Sequence, residues 1–520
     1  MQKRRLVFMA LALLVVALVV VACGGTTAPA AQQPAQQPAQ QPAQQPAQQP
    51  AQPAAQATQP PAAAAQPKAQ PAAPTDAPKA AAPAALPTGV TKKVDVKPGQ
   101  TKITFWHAMG GTNGEAVQKM VDDFNASQDK YVVEATFQGN YDNSLAKLRA
   151  GLPTGDVPTL MQVYDIGTRL MTDLGVTTPV QKFIDAEKYD TSDLEPALLN
   201  YYRLNGSLNS MPFNASSPIL YYNKDAFKKV GLDPEKPPRT WAEVADAAKK
   251  FKGVDNFQCG LALVVYGWFF EQWQATGGNF YADNENGRAQ PATKVAYNTP
   301  YSEALLKWAK DNVDNSAFCN AGRNAAGGSD NGQALFEQGK AAMYIESTAR
   351  LRGVVNNTEG KNLFKVGTAY LPRQNEDDFA KAGIIPGGAS LWILKDRPEA
   401  EQQGAWEFIK YVAAPERQAF WHTATGYFPI RKSAYDQALD KEWRAKYPQF
   451  ETAIQQLQKT PQSNVTSGAL LGVFPTARQT IETGWEDVIL GKKPAKDMLD
   501  AAAASVTKEI ETYNKTVKTR

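Results

Sequence analysis

Lys102-Ile103-Thr104-Phe105-Trp106-His107, then Gly110-Gly111-Thr112-Asn113-Gly114, then Glu115 to Phe124, then Tyr131 to Phe137: this run decides the fold class. The first hexapeptide is rich in β-branched and aromatic residues, as a strand requires. The glycines end it. Val117, Met120, Val121 and Phe124 then recur at helical spacing, which predicts an amphipathic helix. Tyr131–Phe137 returns to strand composition. A second helix around Leu145 and Leu148 is stopped at Pro153, and Thr159–Tyr164 is a third strand. Strand–helix–strand units of this kind imply a largely parallel α/β sheet.

The alternation recurs downstream. Ile219-Leu220-Tyr221-Tyr222, Ala342-Met343-Tyr344-Ile345 and Leu391-Trp392-Ile393-Leu394 read as strands. Thr240-Trp241-Ala242-Glu243 opens a helix, with Thr240 as N-cap and Glu243 three residues on completing a capping box. Ala495 to Val517 is an amphipathic helix. The Gly110–Gly114 loop lacks both the phosphate-loop and the dinucleotide fingerprints. Its residues alone leave a structural turn and a phosphate cradle open.

The chain ahead of this region has different physics. Lys3-Arg4-Arg5 precede seventeen apolar residues, Leu6 to Ala22, and then Cys23-Gly24. A basic start, an apolar stretch and a small residue before the cut describe an export signal, residues 1–22. Cys directly after that small residue resembles the lipobox of bacterial lipoproteins, which implies lipidation at Cys23. Ala-Gln-Gln-Pro then repeats five times from Ala31 to Pro50, and fifteen of the 36 prolines fall between Pro29 and Pro87 with no aromatic residue among them. Such a segment cannot offset its chain entropy by burial. Residues 23–95 are therefore expected to be an extended tether, with a reach on the order of 200 Å. Residues 96–520 remain for folded structure, enough for two lobes.

Net charge is +4. Removing Lys3, Arg4 and Arg5 with the signal leaves 4 − 3, or about +1, and no basic run suggests a nucleic-acid footprint. The two histidines, His107 and His422, are too few for zinc clusters or Ser-His-Asp relays, and both read as structural. Cys259 and Cys319 form an even pair in an exported domain, where a disulfide is permissible. Spacing alone leaves a disulfide and two separate thiols equally open.

Tyr221-Tyr222-Asn223-Lys224-Asp225 followed by Pro237-Pro238-Arg239-Thr240-Trp241 resembles the signature stretch of family 1 extracellular solute-binding proteins of ABC importers. Phe105-Trp106-His107, Gly139-Asn140-Tyr141, Gln162-Val163-Tyr164, Pro212-Phe213-Asn214 with Ser216, Gly387 to Trp392, and Trp421-His422 through Gly426-Tyr427 are similar to the members that take up sn-glycerol 3-phosphate. The resemblance runs from about residue 101 to the C-terminus. It implies a type II binding-protein clamp: two lobes, each a mostly parallel sheet flanked by helices, with the chain crossing a hinge several times and ligand held between the lobes. The implied N-lobe is about 101–213 and 347–412, and the C-lobe about 214–346 and 413–520. Crossings are expected near Phe213–Pro218, Ile345–Ser347 and residue 412.

The resemblance also assigns ligand-binding residues. Arg478 matches the arginine that grips phosphate, through two parallel charge-assisted bonds. Ser216 and Ser347 match hinge serines, and Gly388 a point of close backbone approach that is also compatible with a strand bulge. Tyr141 and Tyr427 match tyrosines facing each other across the cleft. Trp241 corresponds to a tryptophan at the glycerol end, although packing on its own lobe fits equally. Asp165 stands where the pattern has Glu, one methylene longer. The diol must then sit closer or be bridged by water, which keeps a maltose-like or other neutral sugar open as the ligand. The stretch Val264–Asn279 follows the family loosely and lends no assignment.

A glycosidase would need a matched pair of carboxyl groups, and Asp165 has no evident partner. The implied protein is a non-catalytic, monomeric carrier without cofactor or metal. Its partners are a small phosphorylated polyol or sugar, an ABC permease and the membrane. It would be held by its lipid at the outer face of the bacterial cytoplasmic membrane.

Overall fold

The computed structural model describes residues 91–326 and 328–518. The expected signal, the lipidated Cys23 and the Ala/Gln/Pro segment up to residue 90 lie outside the described residues. Among these, no helix is long and apolar enough to cross a membrane.

The strands in chain order are β1 Thr101–His107, β2 Tyr131–Phe137, β3 Leu160–Tyr164, β4 Thr177–Thr178, β5 Arg203–Leu204, β6 Ser207–Leu208, β7 Met211–Ser216, β8 Pro218–Asn223, β9 Cys259–Val265, β10 Phe318–Arg323, β11 Ala341–Ser347, β12 Val366–Tyr370 and β13 Gly387–Leu394. One sheet has the order β2-β1-β3-β13-β4, with β7 also on β13; a second has the order β10-β9-β11-β8-β12. Helices cover both sheets, and the result is the two-lobed α/β clamp.

The first lobe grows from the quoted run. β1 pairs in parallel with β2 and β3. The helix Gly111–Ser127 between β1 and β2 buries Val117, Met120, Val121 and Phe124. Phe124 and Phe105 both meet Phe408 of the helix Glu399–Val412, with ring centroids 5.2 and 5.7 Å apart. The expected Gly110–Gly114 loop is instead the first turn of the helix Gly111–Ser127, with Gly110 at its N-cap, and a Cβ on Gly114 would lie 2.6 Å from the Met109 carbonyl oxygen. In the second lobe, Thr240 and Glu243 form the reciprocal capping box at the start of the helix Trp241–Lys249. Trp273, Trp308 and Trp485 pack edge to face as its core. Cys259 and Cys319 are joined as a disulfide across β9 and β10, with Cα atoms 5.5 Å apart.

Two details differ from expectation. The sheets are mixed rather than mostly parallel: β13 runs against β3, β4 and β7, and β8 runs against β11 and β12. These strands arrive through the hinge rather than through a helical crossover, so they enter from the opposite end of the sheet. The lobe boundary also moves. β12 pairs with β8, so the chain stays with the second lobe beyond Ser347 and returns only between Tyr370 and β13. The helix Pro415–Thr425 rests on the first lobe, with Arg417 3.2 Å from Asp123 of the helix Gly111–Ser127.

Several segments converge between the lobes. Gly387 pairs with Ser216, Ser347 with Pro218, and Ala215 with Phe428. The Thr348 N–H donates to the Ser217 carbonyl at 3.1 Å. This knot of short backbone bonds places residues from distant parts of the sequence side by side.

Candidate functional site

Asp165 ends up in the turn directly after β3, in the first lobe, with its Oδ1 accepting the Ile166 N–H at 2.8 Å. Arg478 projects from the helix Phe474–Ile489 of the second lobe. The two side chains meet between the lobes, Arg478 Nη2 lying 3.7 Å from Asp165 Oδ1, and both are buried. The lobes are therefore shut on one another at this point.

Arg478 has a partner that sequence reading did not supply. Glu271, on the helix Gly267–Thr276, accepts from Arg478 Nε and Nη2 at 2.7 Å each. This is a fork-to-fork pair. Gly267 makes it possible, because a Cβ there would stand 2.5 Å from Arg478 Cγ and 2.7 Å from its carbonyl oxygen. One turn along from Arg478, Glu482 accepts the Gly267 N–H at 3.1 Å through Oε1, while its buried Oε2 has no hydrogen-bond partner. Arg478 thus faces a buried neighbourhood of three carboxyl groups, Asp165, Glu271 and Glu482, the last of which Arg323 also attracts. Burial disfavours the charged form of each. It pushes Glu271 up to about 7 despite the opposing pull of Arg478. Asp165 and Glu482 are raised by burial too, against Arg478 and the backbone N–H groups they accept from. Burial alone would weaken the hold of Arg478 on its proton, but Glu271 and Asp165 keep it firmly charged.

Tyr141 and Tyr427 also come together. Asn214, on β7, donates from Nδ2 to the Tyr141 hydroxyl at 2.9 Å. Its Oδ1 accepts Gln162 Nε2 at 2.7 Å, and Gln162 Oε1 in turn accepts the Ala108 N–H at 2.8 Å. The Tyr141 and Tyr427 phenols lie close enough to influence one another. Tyr141 stacks on Tyr164 at 5.1 Å, and Tyr427 on Trp421 at 5.6 Å. Burial, and the neighbouring Tyr427 and Asp165, hold the Tyr141 phenol well above its ordinary range, so it stays protonated.

Ser216 lies buried opposite Gly387. Ser347 uses its hydroxyl as an acceptor for the Ala349 N–H at 3.1 Å, closing a local turn. At Gly388, φ is +107° and a Cβ would fall 1.8 Å from the Asn214 carbonyl oxygen. The glycine answers to the approach of β7, and the pairing shifts register between Ala389 and Ser390. Trp241 packs on Trp308 and Tyr301 in its own lobe, at 5.6 and 5.3 Å, and none of its ring contacts is to the other predicted residues. Trp268, which sequence reading passed over, is the tryptophan at the hinge. Its ring would meet a Cβ on Gly387 at 2.4 Å, and its buried Nε1 has no hydrogen-bond partner.

His107 is buried in the first lobe beside Phe105 and Phe137, and burial lowers it to about 4. His422 is paired with Asp440. Among the described residues no cluster of His, Cys, Asp and Glu could hold a metal ion. A cavity of about 740 Å³ opens elsewhere, between the Trp241 helix and β12, and of the predicted ligand residues none lines it.

Residues 119–452 match the family model described as bacterial extracellular solute-binding protein. Over 423 residues the chain is 34% identical to the sn-glycerol-3-phosphate-binding periplasmic protein UgpB of Escherichia coli (strain K12), an alignment covering 80% of this chain and 94% of that protein. Identity to UgpB of Shigella flexneri serotype 5b is 33% over the same length. Among solved structures, UgpB from Mycobacterium tuberculosis in complex with glycerophosphocholine superposes with TM-score 0.67 at 24% identity, covering 80% of this chain and 100% of that one. The GacH receptor of Streptomyces glaucescens, solved unliganded and with acarbose, gives 0.66 at 19% identity over 79% of this chain and 99% of that one. At these identities the structural likeness is one of fold.

Proposed function

The chain belongs to the bacterial extracellular solute-binding proteins, and from that premise we propose that it is the membrane-anchored, substrate-binding component of an ABC importer, capturing sn-glycerol 3-phosphate or a glycerophosphodiester between two closing lobes. The observation that carries the reading is Arg478. It is a fully charged guanidinium buried where the lobes meet, beside a carboxylate from the opposite lobe. A buried arginine at a closing interface suits a phosphate that arrives with the ligand. Asp165 suits the glycerol hydroxyls, since a carboxylate only accepts. The names of the relatives, which bind sn-glycerol 3-phosphate and, in one structure, glycerophosphocholine, support the same ligand class.

The ligand contacts assigned to Tyr141, Ser216, Ser347, Gly388 and Tyr427 belong to this proposal, and Trp268 takes the place of Trp241 in it. So do the lipid anchor at Cys23, the permease partner, the monomeric state, the absence of catalysis and the location at the outer membrane face. Closure would be a hinge motion about the converging backbone segments at Ser217, Ser347 and Gly387.

A neutral sugar is the second reading, and one observation favours it: Arg478 is already neutralised by Glu271 and Asp165. Thermal melting of the mature protein with sn-glycerol 3-phosphate, glycerophosphocholine and maltose separates the two. Binding to the folded state raises the melting temperature by mass action. A rise with either ester supports the proposal. A rise with maltose alone overturns the ligand assignment in favour of the sugar.

A further inference from the structure

The side edge of Arg478, formed by Nε and Nη2, is one of two edges that could grip two phosphate oxygens in parallel. Glu271 already sits on it with both carboxylate oxygens at 2.7 Å. Asp165 faces Nη2 as well, at 3.7 Å. Nη1 remains outside these contacts, and the second edge, Nη1 with Nη2, is faced on its Nη2 side by Asp165. Glu271 is held there from several sides. Its helix begins at Gly267, whose backbone is pressed against Arg478 and tied to Glu482. All these carboxyl groups are buried, so bulk water and salt do little to soften their mutual repulsion.

We propose that Glu271 is a specificity-determining residue: as an internal carboxylate on the side edge of Arg478, it confines a bound phosphate ester to Nη1 and so selects singly charged diesters over doubly charged monoesters. The inference rests on the phosphate-ester reading above and deepens it. A monoester near neutral pH brings close to two negative charges into a neighbourhood where one guanidinium already faces Glu271 and Asp165. A diester brings one negative charge. The difference in repulsion falls on the monoester, and specificity built by repulsion works as well as specificity built by attraction. Protonation of Glu271 would relieve it, and burial already brings this carboxyl to about 7. The groups that face it are Arg478, Asp165, Glu482, Tyr201 and Tyr281, with Tyr266 set against Arg478. The three tyrosines are raised by burial and stay neutral, so the carboxyl groups carry the titration.

The test is calorimetry of wild type and Glu271→Gln with glycerophosphocholine and sn-glycerol 3-phosphate at pH 8, on protein shown to be folded by circular dichroism. Wild type is expected to prefer the diester. The Gln variant is expected to gain about tenfold or more on the monoester, shrinking that preference. An unchanged diester-to-monoester ratio, within about twofold, in a variant that still binds overturns the role of Glu271 and leaves the ligand class standing. If wild type binds neither ester and Glu271→Gln acquires binding of one, the ligand class falls and the blocking role holds. If neither protein binds either ester, both fall. Should the variant not fold, the wild type alone decides. Glycerophosphocholine has no group titrating near pH 7, so binding it in buffers of different ionisation enthalpy should show proton uptake by the protein, and binding without proton exchange overturns the proposal.

Discussion

Asp440 accepts from His422 Nδ1 at 2.5 Å and from Arg444 Nε at 2.6 Å, and Arg444 reaches on to Glu451. Asp165, Glu271 and Glu482 share Arg478. Both clusters are ion networks tied to helices; the first joins near neighbours in the chain, and the second joins Arg478 to Glu271, 207 residues away. They end in opposite states. Burial tends to raise Asp440, yet its hydrogen bonds to His422 and Arg444 outweigh burial and hold it below its ordinary range. Around Arg478 burial wins, and every carboxyl is raised. The first cluster matches each acceptor with a donor when the chain folds. The second has more carboxyl groups than cations and keeps an unpartnered oxygen on Glu482. A network that folding satisfies is scaffold. One left short of donors is where an arriving molecule can change the balance.

The largest effect should come from breaking the second cluster at its cation. Arg478→Ala leaves Glu271 and Asp165 buried without a counter-charge. It should cost about 3–5 kcal/mol in denaturant unfolding and weaken ester binding by roughly a hundredfold or more in calorimetry. The double variant Arg478→Leu with Glu271→Leu should recover most of the stability and none of the binding. If the double variant is no more stable than Arg478→Ala, the pairing was not the source of the loss. Breaking the first cluster should cost less and touch function not at all. Asp440→Asn should lose about 2 kcal/mol, as for hydrogen bonds to charged partners, with ligand affinity unchanged. A matching loss of affinity would show that the two clusters are not separable.

The smallest and most diagnostic effect is on pH. Glu271 is raised from its unfolded value to about 7, so its contribution is full below its ordinary pKa and is lost as pH rises through 7. Asp440 is depressed, so its contribution is present above its ordinary pKa and is lost as pH falls through the folded value. Melting of the unliganded protein should therefore be higher at pH 5 than at pH 8, and should decline again in stronger acid. Glu271→Gln should flatten the alkaline side only, and Asp440→Asn the acid side only. A Glu271→Gln profile that superposes on wild type above pH 5 would contradict the raised carboxyl.

Much of the fold was legible because strands and helices carry local signatures. Lys102–His107, Tyr131–Phe137 and Leu391–Leu394 are short β-branched and aromatic runs, and all are strands. Thr240 and Glu243 announce their helix by a capping box that the backbone then forms. The directions of β8 and β13 were not legible, because they depend on which lobe the chain last left. At the site, Asp165 and Arg478 could be named by resemblance, and the structure brings them together. Glu271 could not: it lies 207 residues from Arg478, and spacing says nothing at that distance. Trp268 was hidden by its company, since Trp268, Phe269, Phe270 and Trp273 read as one apolar helix. Trp241 drew notice for its place beside a motif, but that place is a helix start whose ring serves its own lobe.

The chain of bonds from Ala108 to Tyr141 has a direction. A backbone N–H can only give, so Gln162 must take with its oxygen and give with its nitrogen, and Asn214 must do the same. The Tyr141 oxygen is thereby made a receiver, which leaves its own hydrogen to point away from Asn214, on the side where Tyr427 is a neighbour. The last hydrogen in the series is on Tyr427, which donates to the Met109 sulfur at 3.9 Å, a feeble taker. The backbone of one lobe thus fixes the polarity of a hydroxyl at the hinge. An ether, carbonyl or phosphoryl oxygen would find a hydrogen waiting there.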